Sequence, residues 1–241
     1  MNLVTFLKKN FFFAIVLPFV FSIACKNQTG SQDKWQYLFD GKTLNGWKIL
    51  GGKADFYVED GMIVCNTKLD IDGGLLVTKK LYDNFILELD VKIDTSLNSG
   101  VQCRSQMWEK DTTTTYLAGD SKGTIHQSRW KAGSVWGYQI EVDPSDRAWS
   151  GGLYEPGNRG WVVTLADNEA ARKSFKPMDW NHFKIIMDGN KIQTWVNGVI
   201  AVDTTDDMSA SGFLGFQFHK AYRKWQVDKK VFWKNIKIKE L

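Results

Sequence analysis

From Phe56 onward the chain alternates apolar and polar residues with a period of two, and no other feature narrows its fold as much. Such alternation buries one face of a strand and wets the other. In the run Phe85 to Ile93, Phe85, Leu87, Leu89, Val91 and Ile93 share one face while Glu88, Asp90 and Lys92 lie opposite. His182 to Met187, the Asp188-Gly189-Asn190 turn, Ile192 to Val196, the Asn197-Gly198 turn and Val199 to Val202 predict a three-stranded meander, because Asp-Gly and Asn-Gly accept the positive φ of tight turns. Phe213 to Phe218 and Val231 to Ile238 predict two further strands, and only Leu165 to Lys173 has helical character, enough for one short helix. Many strands without a βαβ rhythm make an all-β fold of two antiparallel sheets packed face to face the economical solution. The absence of a fixed-period repeat argues against a propeller or solenoid. Between Met107 and Val135 a polar stretch holding Thr112 to Thr115 shows little alternation and is expected to be a long loop of the kind that carries function.

The first 24 residues have a basic start (Lys8, Lys9), an apolar run from Phe11 to Phe21 and small residues after it, the pattern of a signal peptide and too short for a stable span. Ser22-Ile23-Ala24-Cys25 resembles a bacterial lipobox, with Ser22 where Leu is usual. The expected organisation is therefore a signal peptide over 1–24, a lipidated Cys25 with a tether over 25–34, and one domain over 35–241. Membrane contact would run through the lipid alone, in the bacterial cell envelope, facing the periplasm or held at the outer membrane; plain secretion with a free Cys25 is the alternative. The formal charge is +4, of which Lys8 and Lys9 supply two, so no nucleic-acid partner is expected. Cys65 and Cys103 form either one bridge or two buried thiols. No GxGxxG and no paired CxxC occurs, so no nucleotide cofactor and no zinc site is expected.

Three strands carry a polar row. Gln102, Arg104 and Gln106 alternate with Val101 and Cys103, Gln139, Glu141 and Asp143 with Ile140 and Val142, and Gly215, Gln217 and His219 with Leu214, Phe216 and Phe218. If these strands are neighbours, Arg104, Glu141, Asp143 and His219 share a surface with Gln102, Gln139 and Gln217 between them, and a curved sheet makes that surface a cleft. Outer sheet faces are polar in any case, but amides in place of the usual mixture favour a site. Glu141 and Asp143 lie about 7 Å apart by strand geometry, near enough to perturb each other's titration. With Trp108, Trp130, Trp136, Trp149 and Trp161 nearby, the set suits a carbohydrate, whose hydroxyls need donors and acceptors and whose ring faces stack on indoles. A divalent cation at Glu141/Asp143 stays open. His182 reads as structural, and His126 falls in the loop.

Several motifs occur together and in order: Leu38-Phe39-Asp40-Gly41-Lys42-Thr43-Leu44-Asn45-Gly46-Trp47, Asn98-Ser99-Gly100-Val101, Gly137 to Asp143, Gly152-Leu153-Tyr154, Trp195-Val196-Asn197-Gly198, Gly212 to His219 and Val231 to Ile238. From Trp35 to Leu241 the chain resembles the 3-keto-disaccharide hydrolase family of Bacteroidetes-type lipoproteins. That resemblance implies a concanavalin-like jelly roll and action on glycosides already oxidised to a ketone at C3. The ketone acidifies the C2 hydrogen, so a base removes it, the C1 substituent leaves, and water adds back, giving net hydrolysis. On this reading Arg104 meets the enolate oxygen, Glu141 or Asp143 moves the proton, His219 is the second acid/base group, and Gln102, Gln139, Tyr154, Gln217 and Trp136 bind sugar.

Two other functions compete. A laminarinase-like glycoside hydrolase needs ExDxxE on one strand, but Asp146 stands where the second Glu belongs and Pro144 interrupts the strand. A non-catalytic glycan-binding module needs only stacking and hydrogen bonds.

Overall fold

The computed structural model describes residues 34–69, 71–117 and 125–241. The signal segment, Cys25 and the tether through residue 33 lie outside the described residues, as do 118–124 of the Met107–Val135 stretch. The first strands are β1 (Gln36–Tyr37), β2 (Trp47–Leu50), β3 (Phe56–Glu59), β4 (Met62–Asn66), β5 (Gly74–Thr78), β6 (Phe85–Ile93) and β7 (Ser99–Met107). Next come β8 (Thr112–Leu117), β9 (Ile125–Trp130), β10 (Val135–Val142), β11 (Leu153–Glu155) and β12 (Gly160–Val163). Helix α1 (Glu169–Ser174) precedes β13 (Asn181–Asp188), β14 (Lys191–Val196), β15 (Val199–Thr205), β16 (Phe213–Phe218) and β17 (Lys230–Glu240).

One antiparallel sheet runs β15-β14-β13-β6-β17-β4-β3 with β1 beside β17, and the other runs β12-β11-β10-β7-β16-β5-β2. They enclose the core of a jelly-roll sandwich. The first sheet contributes Phe85, Leu87, Leu89, Val91, Phe183, Ile185 and Trp233; the second contributes Val101, Tyr138, Ile140, Val142, Leu214, Phe216 and Phe218. Phe216 stacks between Trp47 and Trp233, 5.3 Å from each ring. The Asn197-Gly198 turn has positive φ at both residues, 50° and 83°, the geometry that matches the twist of a two-residue hairpin. Cys65 and Cys103 belong to different sheets and are two free, buried thiols.

Two local expectations change. The helix is shorter than Leu165 to Lys173, starting after Asn168, whose side chain accepts from the Ala171 amide at 3.1 Å and caps it. The Met107–Val135 stretch is not a loop throughout: β8 and β9 pair as a hairpin from Thr112 opposite Trp130 to Leu117 opposite Ile125. Its threonines are β-branched and suit a strand, but their two faces are nearly equal in polarity, which hides the alternation.

A bulge in β7 decides which side chains reach the outer face of the seven-stranded sheet. Tyr138 pairs with Cys103 and Trp136 with Gln106, so Arg104 and Ser105 together oppose Gly137. On the other side Phe213 pairs with Ser105 and Gly215 with Gln102. Arg104 is the extra residue, with φ of 47°, and a Cβ on Gly137 would lie 2.7 Å from Ser105 Cα. One inserted residue reverses the facing of every side chain beyond it on the strand. Arg104 therefore does not join the polar row. It is 1% exposed, and its guanidinium donates to the Asp83 carbonyl, to the Gly189 carbonyl at 2.7 Å and to Asn84 Oδ1 at 2.8 Å. Because Gly189 sits in the β13–β14 turn, this clamp ties the two sheets together.

Arg104→Met keeps the aliphatic bulk and leaves three acceptors without their cationic donor. It is expected to cost about 2–4 kcal/mol and to lower the melting temperature by roughly 5–15 °C in a domain of this size. Thermal unfolding followed by circular dichroism checks this.

Candidate functional site

Strands β10, β7 and β16 are consecutive neighbours at the centre of the seven-stranded sheet. Gln139 pairs with Gln102 on one side and Tyr154 on the other, Gln102 pairs with Gly215, and Gly100 lies between Glu141 and Gln217. Directly paired residues share a face, so Gln102, Gln139, Glu141, Tyr154 and Gln217 do form one polar surface. Gly100 keeps it open: a Cβ there would come within 2.5 Å of the Gln139 side chain.

The polar groups are chained. Ser105 Oγ donates to Gln102 Oε1 at 3.0 Å, Gln102 Nε2 to Gln139 Oε1 at 2.6 Å, and Gln139 Nε2 to Glu141 Oε2 at 2.9 Å. Glu141 Oε1 also accepts from Asn98 Nδ2 at 2.8 Å and from Arg147 Nη2 at 2.9 Å. With two donors on Oε1 and one on Oε2, Oε2 retains a free lone pair. Asp143 Oδ1 accepts from the Ser145 amide and hydroxyl, and its Oδ2 accepts from Arg147 Nε at 2.7 Å. Arg147 thus holds both carboxylates at once, while its guanidinium carbon lies 4.9 Å from the Trp149 ring and 5.0 Å from the Trp161 ring.

The two acids differ in their surroundings. Burial pushes the Glu141 carboxyl above its ordinary value, outweighing its hydrogen bonds from Asn98 and Gln139 and the charge of Arg147. Burial also pushes Asp143 up, but the Ser145 hydroxyl and the Arg147 guanidinium outweigh it and hold the group below its ordinary value. The His219 imidazole, half-buried, is lowered by burial alone. Environment has thus given one carboxyl the character of a proton acceptor and the other that of a permanent anion that orients Arg147.

Two clefts open on this face. One of about 530 Å³ is lined by Gln102, Gln217, His219 and the stretch Ala132 to Val135; the other, of about 370 Å³, by Asn98, Asp143, Ser145 and His219. His219 borders both. The pairing of Phe218 with Ser99 puts His219, one step on, beside Asn98, which bonds to Glu141. Gln217 Oε1 is buried without a hydrogen-bond partner, leaving an acceptor for a ligand hydroxyl.

The structure therefore brings together Glu141, Asp143, His219, Gln102, Gln139, Tyr154 and Gln217. Arg104 is excluded by the bulge; Trp136, on β10, alternates with Gln139 and shares the facing of Tyr138, pairs with Gln106, stacks on Trp108 at 4.9 Å and falls on the opposite side from Val135 of the cleft wall. Arg147 is the residue that sequence reasoning misses. Its clue lies in the spacing Glu141, Asp143, Arg147, with Pro144 and Ser145 turning the chain back on the strand it leaves. Arg147 bonds to both carboxylates of the pair, and no cluster of three or more His, Cys, Asp or Glu side chains fit for a metal occurs among the described residues.

The model of the 3-keto-alpha-glucoside-1,2-lyase-like domain matches residues 34–239. The chain belongs to this family. A 3-keto-disaccharide hydrolase of Bacteroides thetaiotaomicron is 36% identical over 77 residues, covering 29% of this chain and 27% of that protein, so the chain spans little more than a quarter of that relative's length. A candidate glycosyl hydrolase of Parabacteroides distasonis superposes with a TM-score of 0.54 at 21% identity, over 86% of this chain and 94% of that one. Winged bean acidic lectin superposes with a TM-score of 0.51 at 8% identity, over 85% and 98%. Both structures share the jelly-roll fold with this member of the family.

Removing the neighbouring cation lifts Glu141 further, since Arg147 favours its ionised form. Carboxyl-carbon NMR titration is expected to find Glu141 above the ordinary glutamate value in the native protein and higher still in Arg147→Ala. An unmoved Glu141 in that variant would show that the ion pair is absent in solution.

Proposed function

We propose that the protein cleaves the glycosidic bond of 3-keto-glycosides, 3-keto-disaccharides among them, by elimination followed by hydration. Membership of the 3-keto-alpha-glucoside-1,2-lyase-like family supports a carbohydrate substrate. The observation that carries the chemistry is a carboxyl raised by burial, Glu141, held by Asn98, which lines the same cleft as His219, an imidazole lowered by burial, on a face crossed by an amide chain. Two groups shifted towards each other suit a reaction that both takes and gives protons.

In the elimination, Glu141 Oε2 takes the C2 hydrogen as a proton. The C–H electron pair forms the C2–C3 double bond while the ketone oxygen becomes an enolate, beside the guanidinium of Arg147. The enolate then re-forms the ketone and pushes out the C1 oxygen, which takes a proton from His219. In the hydration, His219 takes a proton from water as its oxygen bonds to C1, and Glu141, whose proton has exchanged with solvent in between, protonates C2. Atoms and charges balance over the cycle, and the net change is hydrolysis. Arg147 takes the place at the enolate that the sequence assigns to Arg104. Asp143 keeps Arg147 in position, and Gln102, Gln139, Gln217 and Tyr154 meet the sugar hydroxyls.

Activity requires Glu141 ionised and His219 protonated. It is lost as pH falls through the Glu141 value, which lies above 4.5, and as pH rises through the His219 value, which lies below 6.5. A bell-shaped profile of kcat/KM is expected, its acid limb shifted up from the ordinary glutamate range and its alkaline limb shifted down from the ordinary histidine range. Incubation of a 3-keto-glucoside beside its unoxidised parent in deuterated water is expected to place deuterium at C2 of the product from the ketone alone. Glu141→Gln is expected to lower kcat by about 10²–10⁴. Full turnover by both Glu141→Gln and His219→Ala, or equal cleavage of the unoxidised parent, would overturn the reading.

We further propose, from Ser22-Ile23-Ala24-Cys25, that the protein is held in the cell envelope through a lipid on Cys25. Cys25→Ala is expected to move it from the detergent to the aqueous phase on partition; retention in detergent would refute the anchor.

A further inference from the structure

The bulge that removes Arg104 from the polar face puts Ser105 on it. Ser105 is fully buried, and its hydroxyl has two acceptors at similar distance, Gln102 Oε1 at 3.0 Å and the Tyr138 carbonyl at 3.2 Å. A hydroxyl carries one proton, so it donates to one of them at a time while its oxygen stays able to accept. Gly137, opposite the bulge, leaves it room to turn: a Cβ there would lie 3.1 Å from Ser105 Oγ.

From Ser105 the hydrogen bonds run through Gln102 and Gln139 to Glu141, none of these side chains belonging to a residue more than 4% exposed. Their order serves a carboxylate, which only accepts. A protonated Glu141 is a donor as well, and Gln139 Nε2, 2.9 Å from Oε2, offers it no acceptor. Half a turn of each amide about its last side-chain bond exchanges oxygen and nitrogen and repairs the row. Glu141 Oε2 then donates to Gln139 Oε1, Gln139 Nε2 to Gln102 Oε1, Gln102 Nε2 to Ser105 Oγ, and the Ser105 hydroxyl turns to the Tyr138 carbonyl. Every link is paired in both arrangements, whereas a buried polar group left unpaired is costly. A side chain at 105 that only donates or only accepts would close one arrangement and not the other.

We infer that Ser105 is a positioning residue for Glu141, ending a row of amides whose direction reverses when Glu141 gains or loses its proton, so that the row fits both charge states. The inference rests on Glu141 as the group that moves the proton in the proposed cleavage and adds to it a residue two side chains away. The charged and titratable groups facing Glu141 are Arg147 and Asp143 from its own end of β10, Tyr154 from β11 and His219, which lines the cleft of Asn98 and Asp143. Ser105, Gln102 and Gln139 carry no charge. Loss of the Ser105 hydroxyl therefore acts on Glu141 through hydrogen bonds and not through a removed charge.

Neutron diffraction from deuterated, sugar-free crystals held above and below the Glu141 midpoint reads the direction of the row. The Gln139 Nε2 deuterons are expected to point to Glu141 above the midpoint and to Gln102 below it, with the Ser105 deuteron moving from Gln102 to the Tyr138 carbonyl. Amides that keep one direction at both pH values overturn the inference. Ser105→Ala takes one bond from the carboxylate arrangement and two from the acid one, which favours the carboxylate. Glu141, followed at its carboxyl carbon by NMR, is then expected to titrate about 0.5–1 pH unit lower than in wild type, and the acid limb of kcat/KM to move with it. A variant that melts lower but leaves the Glu141 midpoint in place would make Ser105 a packing residue only and refute its positioning role; should the variant not fold, the wild-type crystals decide. Diffraction and carboxyl titration need no substrate. A reversing row in a protein that leaves 3-keto-glycosides intact refutes the cleavage and upholds the row, and cleavage with a fixed row does the opposite.

Discussion

Two carboxylates brought out of water on the same stretch of chain repel each other, and each forgoes hydration worth several kcal/mol. Arg147 makes their burial tolerable. The side chains of Glu141 and Asp143 are 5% and 3% exposed, whereas Arg147, at 40%, keeps one side in solvent and so loses less hydration than a buried cation would. Its position is fixed by Trp149 and Trp161 as much as by the acids. From this ion pair the rest of the face takes its orientation. An ionised carboxylate only accepts hydrogen bonds, so Gln139 must present its amide nitrogen to Glu141, Gln102 its nitrogen to Gln139, and Ser105 its hydroxyl to Gln102.

The same ordering separates the titrating groups. Asp143 is engaged at both oxygens and stays ionised, while at Glu141 burial outweighs the hydrogen bonds and the charge of Arg147, so this group holds a proton more readily. Neutral amides carry orientation across the sheet without adding charge. A row of lysines and glutamates would have satisfied solvent equally well, but it could not have transmitted the direction of one carboxylate across two neighbouring strands.

Much of this is legible in the sequence. Period-two alternation is a direct consequence of the pleat, so strands such as β6 and β10, and the common facing of Gln102, Gln139, Glu141 and Gln217, emerge from spacing alone. Facing is also where spacing misleads. A bulge adds one residue without altering composition, and beyond it the parity is reversed; Arg104 departs from its expected face for that reason, whereas Trp136 on β10 simply shares the facing of Tyr138. Arg147 escapes because it belongs to no strand, and only the fold shows that the turn after Pro144 returns it to the acids. The β8–β9 hairpin escapes because threonine is equally at home on either face. Local pattern thus conveys periodic structure well and says little about places where the period is interrupted, which is where the site acquires its shape.

The pairing of β1 with β17, Gln36 opposite Ile238 and Tyr37 opposite Lys237, bears on how such a domain can be fastened. The described chain enters along the eight-stranded sheet, whereas the clefts open on the outer surface of the seven-stranded one. Trp35 thus leads into the sandwich at the sheet opposite the one that bears the clefts, so the first described residues and the hollow occupy different faces of the domain.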